Sequence, residues 1–370
     1  MKVVTIGGAT QDIFIKHKDP KMLRFYSKKI KKEFLILEEG SKIEIEGLSY
    51  YTGGGATNSG TSFSRLGFDV STIFKTGHDL QADLVIKKLK EENVDTSYTS
   101  KSSKLHTGIS IIIPSMTGDR TVLAYRGSNT ELKIADINEE LIASCDQIYI
   151  TSLSGESSRL LPYITEIAKK HNIPVATNPG SSQLAQGAVE LRESLKYIDI
   201  FVLNSQEANE FMRTLVQVDQ ELKNQILEAK VIPEKKQAPK LLKSPIIYQD
   251  ISFSLHNYFN EILKRGPKIA VVTNGEEGVY VATNGNIYFH PSIETKTIST
   301  LGAGDSFSSC FIANIALGKS VEESTVAGII NSSSVISHLD AKTGLLSKKE
   351  LEKQLKKAST GNIEKFPLEK

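Results

Sequence analysis

Short apolar runs and helical patterns take turns along most of this 370-residue chain, and no other feature limits its fold as strongly. Runs of strand length stand at Val3–Ile6, Val70–Phe74, Gln147–Ile150, Val175–Thr177, Ile200–Leu203 and Ile269–Thr273. Helical periodicity fills the gaps, as in Ala82–Glu92, Ser158–Lys170 and Ser205–Leu222. Parallel strands need long crossover connections and helices supply them, so the pattern predicts a mostly parallel central sheet with helices on both faces. Four segments break the rhythm: Phe34–Leu37, Lys42–Leu48, Thr107–Pro114 and Thr121–Tyr125. They are short and strand-like, with no helix inside either pair. They predict a small β-sheet lid, formed by about residues 13–52 and 105–127.

Two stretches read as additions to this plan. Residues 213–266 carry two helical patterns around Val231–Lys240, where prolines and lysines suggest an exposed link. The run Lys28-Lys29-Ile30-Lys31-Lys32 is either a solvated face or an attractor for a phosphorylated substrate. The tail from about Lys348, rich in lysine and glutamate, is expected at the periphery.

The strongest chemical signal is Thr300-Leu301-Gly302-Ala303-Gly304-Asp305-Ser306-Phe307, followed by apolar residues at helical spacing. A glycine-rich helix start offers amides without intrahelical partners and a dipole that favours negative charge, so it makes an anion pocket. A carboxylate beside that pocket reads as a base that takes a proton from a hydroxyl while the amides hold a phosphoryl group. A second glycine cluster, Gly53-Gly54-Gly55-Ala56-Thr57-Asn58, precedes another helix and Arg65-Leu66-Gly67. It lets a polar ligand approach the backbone, or it is simply a structural turn. Asn58 offers a donor and an acceptor suited to a sugar hydroxyl. Asp12 follows Gly7-Gly8-Ala9-Thr10 at the carboxyl end of the first strand, where open α/β sheets bind ligands. A helix N-cap or turn role for Asp12 is equally open.

Other classes of function fit less well. A net charge of +2 argues against nucleic acid and acidic membranes as partners. Two cysteines, Cys145 and Cys310, make neither a disulfide framework nor a zinc cluster, and a reducing, cytoplasmic setting is expected. The first strand is too brief for a secretory segment, and no apolar run approaches the roughly 20 residues that span a bilayer. A dinucleotide fingerprint at Gly302-Ala303-Gly304 fails because Phe307 occupies the third glycine position. A non-catalytic sugar- or nucleotide-binding protein should have lost the base at Asp305, and it is present.

With Gly53-Gly54-x-x-x-Asn58, Arg65-Leu66-Gly67 and Thr300-x-Gly302-Ala303-Gly304-Asp305 in this order, the chain resembles the ribokinase-like family of carbohydrate kinases, also called the phosphofructokinase B family. Asn204-x-x-Glu207 and Thr273-x-Gly275-x-x-Gly278 add to the resemblance. It implies a ribokinase-like α/β fold, one kinase domain over 1–370 with an insertion at 213–266, and ATP-dependent phosphorylation of a sugar hydroxyl. In residue terms it implies Asp305 as the base and the amides of Gly302, Ala303 and Gly304 as the anion hole. Asp12, Gly54 and Asn58 would bind the sugar, and Arg126 of Tyr125-Arg126-Gly127 either binds an acidic sugar or fixes a lid turn. Asn204, Thr273, Gly275, Gly278 and Asn331 would bind the nucleotide, and Glu207 would organise Mg2+ through water. A nucleoside kinase of the adenosine kinase type is the alternative within the same fold, and a homodimer through the lid is compatible with it. Many members carry an Asp six residues before the base, where it helps hold K+. Here that position is Ser299, so only weak dependence on K+ is expected.

Overall fold

The computed structural model describes residues 1–16, 21–26, 31–114, 120–185, 187–222, 224, 238–243, 246–248, 251–358 and 362–368. Their centre is a ten-stranded sheet. Across it run Glu364–Pro367, Asn286–His290, Val279–Thr283, Ile269–Thr273, Ile200–Asn204, Val175–Thr177, Gln147–Ile150, Lys2–Ile6, Asp69–Ile73 and Val94–Asp95. All six strands expected from the sequence lie in it. Pairing is parallel from Val94–Asp95 to Ile269–Thr273 and antiparallel over the remaining edge. The switch has a local cause. After Thr273 the chain turns back tightly, and Asn284-Gly285, with Gly285 at φ 85°, makes the next hairpin without a crossover helix.

Strands covered on both faces must be apolar throughout, and Gln147–Ile150 and Val175–Thr177 are buried at every position. One face packs Ile164, Phe211, Leu215, Tyr258 and Phe259, and the other packs Phe63, Leu89, Phe307, Phe311 and Ile330. Four helices matter for the site: α1 (Gly55–Arg65), α2 (Ser205–Val218), α3 (Ala303–Ala316) and α4 (Val321–Ile336).

A separate four-stranded sheet has the order Arg120–Tyr125, Gly108–Pro114, Thr10–Lys16, Gly47–Gly53. Two of its strands match expected segments, and two correct the reading. Phe34–Leu37 only overlaps the end of a hairpin, Met22–Tyr26 with Lys31–Leu35, that stands apart from this sheet. Lys42–Leu48 mostly precedes the strand Gly47–Gly53. Thr10–Lys16 escaped notice because Gln11 and Asp12 are polar, yet both are buried. Asp12 is therefore a strand residue, neither an N-cap nor a turn former. Lys28–Ile30 of the basic run lie outside the described residues.

Within 213–266 the helix Leu255–Lys264 is core, with Leu255, Tyr258, Phe259 and Ile262 fully buried. Residues 225–237, which hold most of the expected link, lie outside the described residues. The charged tail is less peripheral than its composition suggests. Leu351 is buried, Glu364–Pro367 joins the sheet edge, and Leu368 N donates to Gly285 O at 3.0 Å.

Candidate active site

The start of α3 sits where the carboxyl ends of the central strands meet. Gly302 caps it at φ 76°, ψ 0°, a left-handed conformation that costs other residues free energy. A Cβ there would also lie 2.4 Å from Ala341 Cβ, so packing and backbone both demand glycine. Ser306 N donates to Gly302 O at 2.9 Å, and the two glycines before it line a cavity of about 220 Å³. Gly302, Gly304 and Asp305 line this cavity together with Asn204, Glu207 and Thr273. The lining also holds Arg120, Asn178, Thr300 and Ser308.

Asn58 Nδ2 donates to Asp305 Oδ2 at 2.8 Å, so the two glycine motifs meet across 247 residues of sequence. The other amide atom, Asn58 Oδ1, is buried with no hydrogen-bond partner among the described residues. Asp12 stands on the same side of the Gly53-Gly54 turn: a Cβ on Gly53 would lie 2.1 Å from Asp12 Oδ2. Gly54 adopts φ 97°, and a Cβ on it would strike Gly8 O at 2.4 Å. Thr10 Oγ1 donates to Asp12 Oδ1 at 2.9 Å. Behind this turn Lys342 Nζ donates to Thr52 O, Thr52 Oγ1 and Thr57 Oγ1, each at 2.9 Å.

On the opposite wall Asn204 and Glu207 form a reciprocal cap of α2: Asn204 N donates to Glu207 Oε2 at 2.9 Å, and Glu207 N to Asn204 Oδ1 at 2.8 Å. The motif thus has a structural reason of its own. Asn204 and Thr273 are neighbours in register at the carboxyl ends of adjacent parallel strands. Such ends at a sheet centre are where open α/β folds take ligands.

Burial raises the Asp305 carboxyl above its ordinary value, against the lowering pull of Asn58 and Lys342. Burial likewise raises Asp12 and Glu207. For Lys342 the same desolvation acts in the other direction, bringing its ammonium down to about 8 despite Asp12, Asp340 and Asp305. Ser299 is buried; its Oγ accepts from Leu301 N at 3.2 Å, and it presents no carboxylate.

Several expected residues, Asp12, Gly54 and Asn58 among them, do not line this cavity themselves. Arg126 is exposed at the end of the lid strand and does not line the cavity. Arg120, at the other end of that strand, does line it, and its Nη1 donates to Thr300 Oγ1. Asn331 is 1 % exposed and its amide is committed: Nδ2 donates to Ser306 O at 2.9 Å and Oδ1 accepts from Leu346 N at 3.0 Å. It braces α3 against the loop after α4 and presents nothing to the cavity. Ala303, Gly275 and Gly278 are also outside the lining. Ala303 N reaches Thr300 O at 3.4 Å, and a Cβ on Gly278 would strike His290 O at 2.2 Å. Sequence reasoning missed Arg120, Asn178, Ser308 and Lys342, none of which stands in a recognisable pattern.

The pfkB family carbohydrate kinase profile matches residues 25–348. Ribokinase of Staphylococcus aureus is 25% identical over 288 residues, covering 76% of this chain and 82% of the relative. Arabidopsis thaliana ribokinase, solved in complex with ribose and ATP, superposes with a TM-score of 0.70 at 18% identity, covering 96% of this chain and 98% of that one. A nucleoside kinase of Methanocaldococcus jannaschii superposes with a TM-score of 0.69 at 19% identity, with coverage of 96% and 98%.

Proposed function

This chain belongs to the pfkB family of carbohydrate kinases, and on that premise we propose that it moves the γ-phosphoryl group of ATP to a sugar hydroxyl with Asp305 as base. The observation that carries the reading is the Asn58–Asp305 hydrogen bond at the head of α3. It sets a hydroxyl-binding amide and a carboxylate at one anion-binding helix terminus. In the step, Asp305 takes the hydroxyl proton, the sugar oxygen bonds to phosphorus, and the bond from phosphorus to the ADP oxygen breaks. The Gly302 and Gly304 amides stabilise the charge on the phosphoryl oxygens in flight. Asn58 Oδ1, unpartnered among the described residues, accepts from a second sugar hydroxyl, and Asp12 accepts from another. Arg120, reaching from the lid to Thr300, closes the phosphoryl end of the cavity.

Magnesium fits the donor set. It takes one or two carboxylates and completes its shell with water and phosphate oxygens. Glu207 commits Oε2 to the Asn204 amide and leaves its second oxygen to the cavity it lines, while Asn204 stands beside it. Among the described residues no cluster of three or more His, Cys, Asp or Glu is found. Bound at Glu207, magnesium neutralises phosphate charge. With Ser299 in place of a carboxylate, replacing K+ by Na+ should leave the rate nearly unchanged, and a large difference between those buffers would overturn this.

The lid exposes Leu48, Tyr50, Leu123 and Tyr125, at 46%, 57%, 51% and 45%. A second copy of this chain covering that face is the reading it supports. No helix among the described residues is long and apolar enough to cross a membrane, and both cysteines are buried thiols. The decisive experiment is ADP release over ribose, fructose, ketodeoxygluconate, phosphosugars and nucleosides. Turnover with a free sugar supports the proposal. Preference for a nucleoside replaces it with the alternative, and no acceptor-dependent ADP release defeats both.

A further inference from the structure

Lys342 belongs to no motif, yet its ammonium is buried among neutral oxygens: the Thr52 carbonyl and the Thr52 and Thr57 hydroxyls. Its counter-charges, Asp12, Asp340, Asp305 and Glu92, act through space. An ammonium without a direct ion pair is costly to bury, so the position calls for a role beyond packing.

The geometry supplies one. Thr52 and Thr57 bracket the Gly53-Gly54 turn, and Thr57 Oγ1 donates onward to Gly53 O at 2.7 Å. The same turn meets Asp12, against Gly53, and leads into Asn58, which donates to Asp305. The loop that carries Lys342 is itself fixed. Asp340 Oδ2 accepts the amides of Lys342 and Thr343 at 3.1 Å, and Arg65 Nη1 donates to Lys342 O and Leu345 O at 2.8 Å. In the same loop Ala341 packs on Gly302 so closely that a Cβ there would lie 2.4 Å away. One loop therefore touches both glycine turns of the site.

Resting on Asp305 as the base, we propose that Lys342 is a positioning residue of the phosphoryl-transfer site: its ammonium fixes the Gly53-Gly54 turn and sets a buried positive charge beside Asp305 and Asp12. The groups facing Asp305 come from several elements. Asn58 on α1 donates to it, Asp12 on the lid strand and Glu207 on α2 oppose its charge, and Tyr149 approaches from the central sheet. Arg120 of the lid lines the same cavity. Lys342 favours the ionised form from behind the turn. Its own proton is lost near pH 8, so the support it gives is withdrawn above that pH.

The test is a 13C titration of protein labelled at aspartate Cγ, with Asp305→Asn assigning the Asp305 resonance, beside kcat/KM with D-ribose or the best sugar of the screen. Lys342→Met should raise the Asp305 midpoint by roughly one pH unit and cut kcat/KM at least tenfold. Lys342→Arg should keep the midpoint near that of the wild type. Thr57→Val, which removes an acceptor but no charge, should raise KM and leave the midpoint unmoved. An Asp305 midpoint that is the same in Lys342→Met and wild type, or that shifts equally in Thr57→Val, overturns the proposal. Should Lys342→Met not fold, the wild type decides. Its Asp305 resonance must show a second inflection near pH 8, and a curve without one overturns the proposal equally. The titration needs no turnover, so an active Asp305→Asn enzyme would sink the base assignment and still leave Lys342 to be judged.

Discussion

The start of α3 and the four-stranded lid border one cleft, yet they are held by different means. From Ser306 to Asn314 every residue of α3 is buried, and Gly302 is locked against Ala341. Along Arg120–Tyr125 nearly every residue is exposed, and Leu48 and Tyr50 face solvent on the strand at the opposite edge. A helix start wedged into a core has one conformation and is suited to holding charge in a transition state. A sheet with one open face can shift and be covered, which suits recognition and association. The contrast predicts that changes at the α3 end damage chemistry and folding, and that changes in the lid move affinity and assembly.

The largest effect should come from Asp305→Asn, which lowers kcat by about 10²–10⁴ while nucleotide binding, read by calorimetry, persists. Turnover above a few per cent of wild type would count against a base at this position. Next comes a pair of left-handed glycines. Gly302→Ala should cost about 1–3 kcal/mol for its backbone alone and more for the contact with Ala341. Gly40, at φ 73° with no atom within 4 Å of a Cβ, should show the backbone cost only when replaced by Ala. Equal shifts in the two urea midpoints would show that the contact with Ala341 adds nothing to the backbone cost.

Lys342 gives a prediction in pH. Its value in the folded chain is about 8 against an ordinary 10.5, so between these only the unfolded chain holds the proton. Below about 8 both states are protonated and the fold carries the full cost of a buried charge. As pH rises from 8 to 10.5 that cost is relieved, and this group's contribution to stability increases. Wild type should therefore gain stability relative to Lys342→Met over this window while its activity falls. A parallel decline of both quantities would refute the burial argument. Smaller again, Arg120→Ala should reduce kcat/KM about tenfold, the worth of one charge-assisted hydrogen bond, with the unfolding midpoint unchanged. Smallest for catalysis is Leu123→Ser combined with Tyr125→Ser. It should leave activity per chain within about twofold, the margin of a surface change, yet lower the mass seen by light scattering. An unchanged mass would remove the lid from any interface.

The central sheet was legible because strands covered on both faces must be apolar, and helical spacing between them leaves few topologies. The two glycine turns were legible because close backbone approach admits few other residues. Thr10–Lys16 was harder, since the polar Gln11 and Asp12 read as loop residues although the strand buries both. Glu364-Lys365-Phe366-Pro367 reads as charged tail because an edge strand packs only part of itself. Arg120 and Arg126 look alike in sequence: which end of a six-residue strand meets the cleft depends on the docking of the whole sheet. Lys342 was invisible for a deeper reason. Its role rests on Thr52 and Thr57, 290 and 285 residues away, and nothing local marks it.

That separation bears on how the enzyme comes into being. Asn58 with Asp305, and Thr52 with Lys342, are contacts of very high sequence separation, and closing such loops is entropically expensive until most of the fold is in place. A partly folded or nascent chain can own a glycine turn, a carboxylate or a lysine, but not the arrangement in which they meet. Activity at the proposed site is then reserved for chains in which these distant segments have already come together.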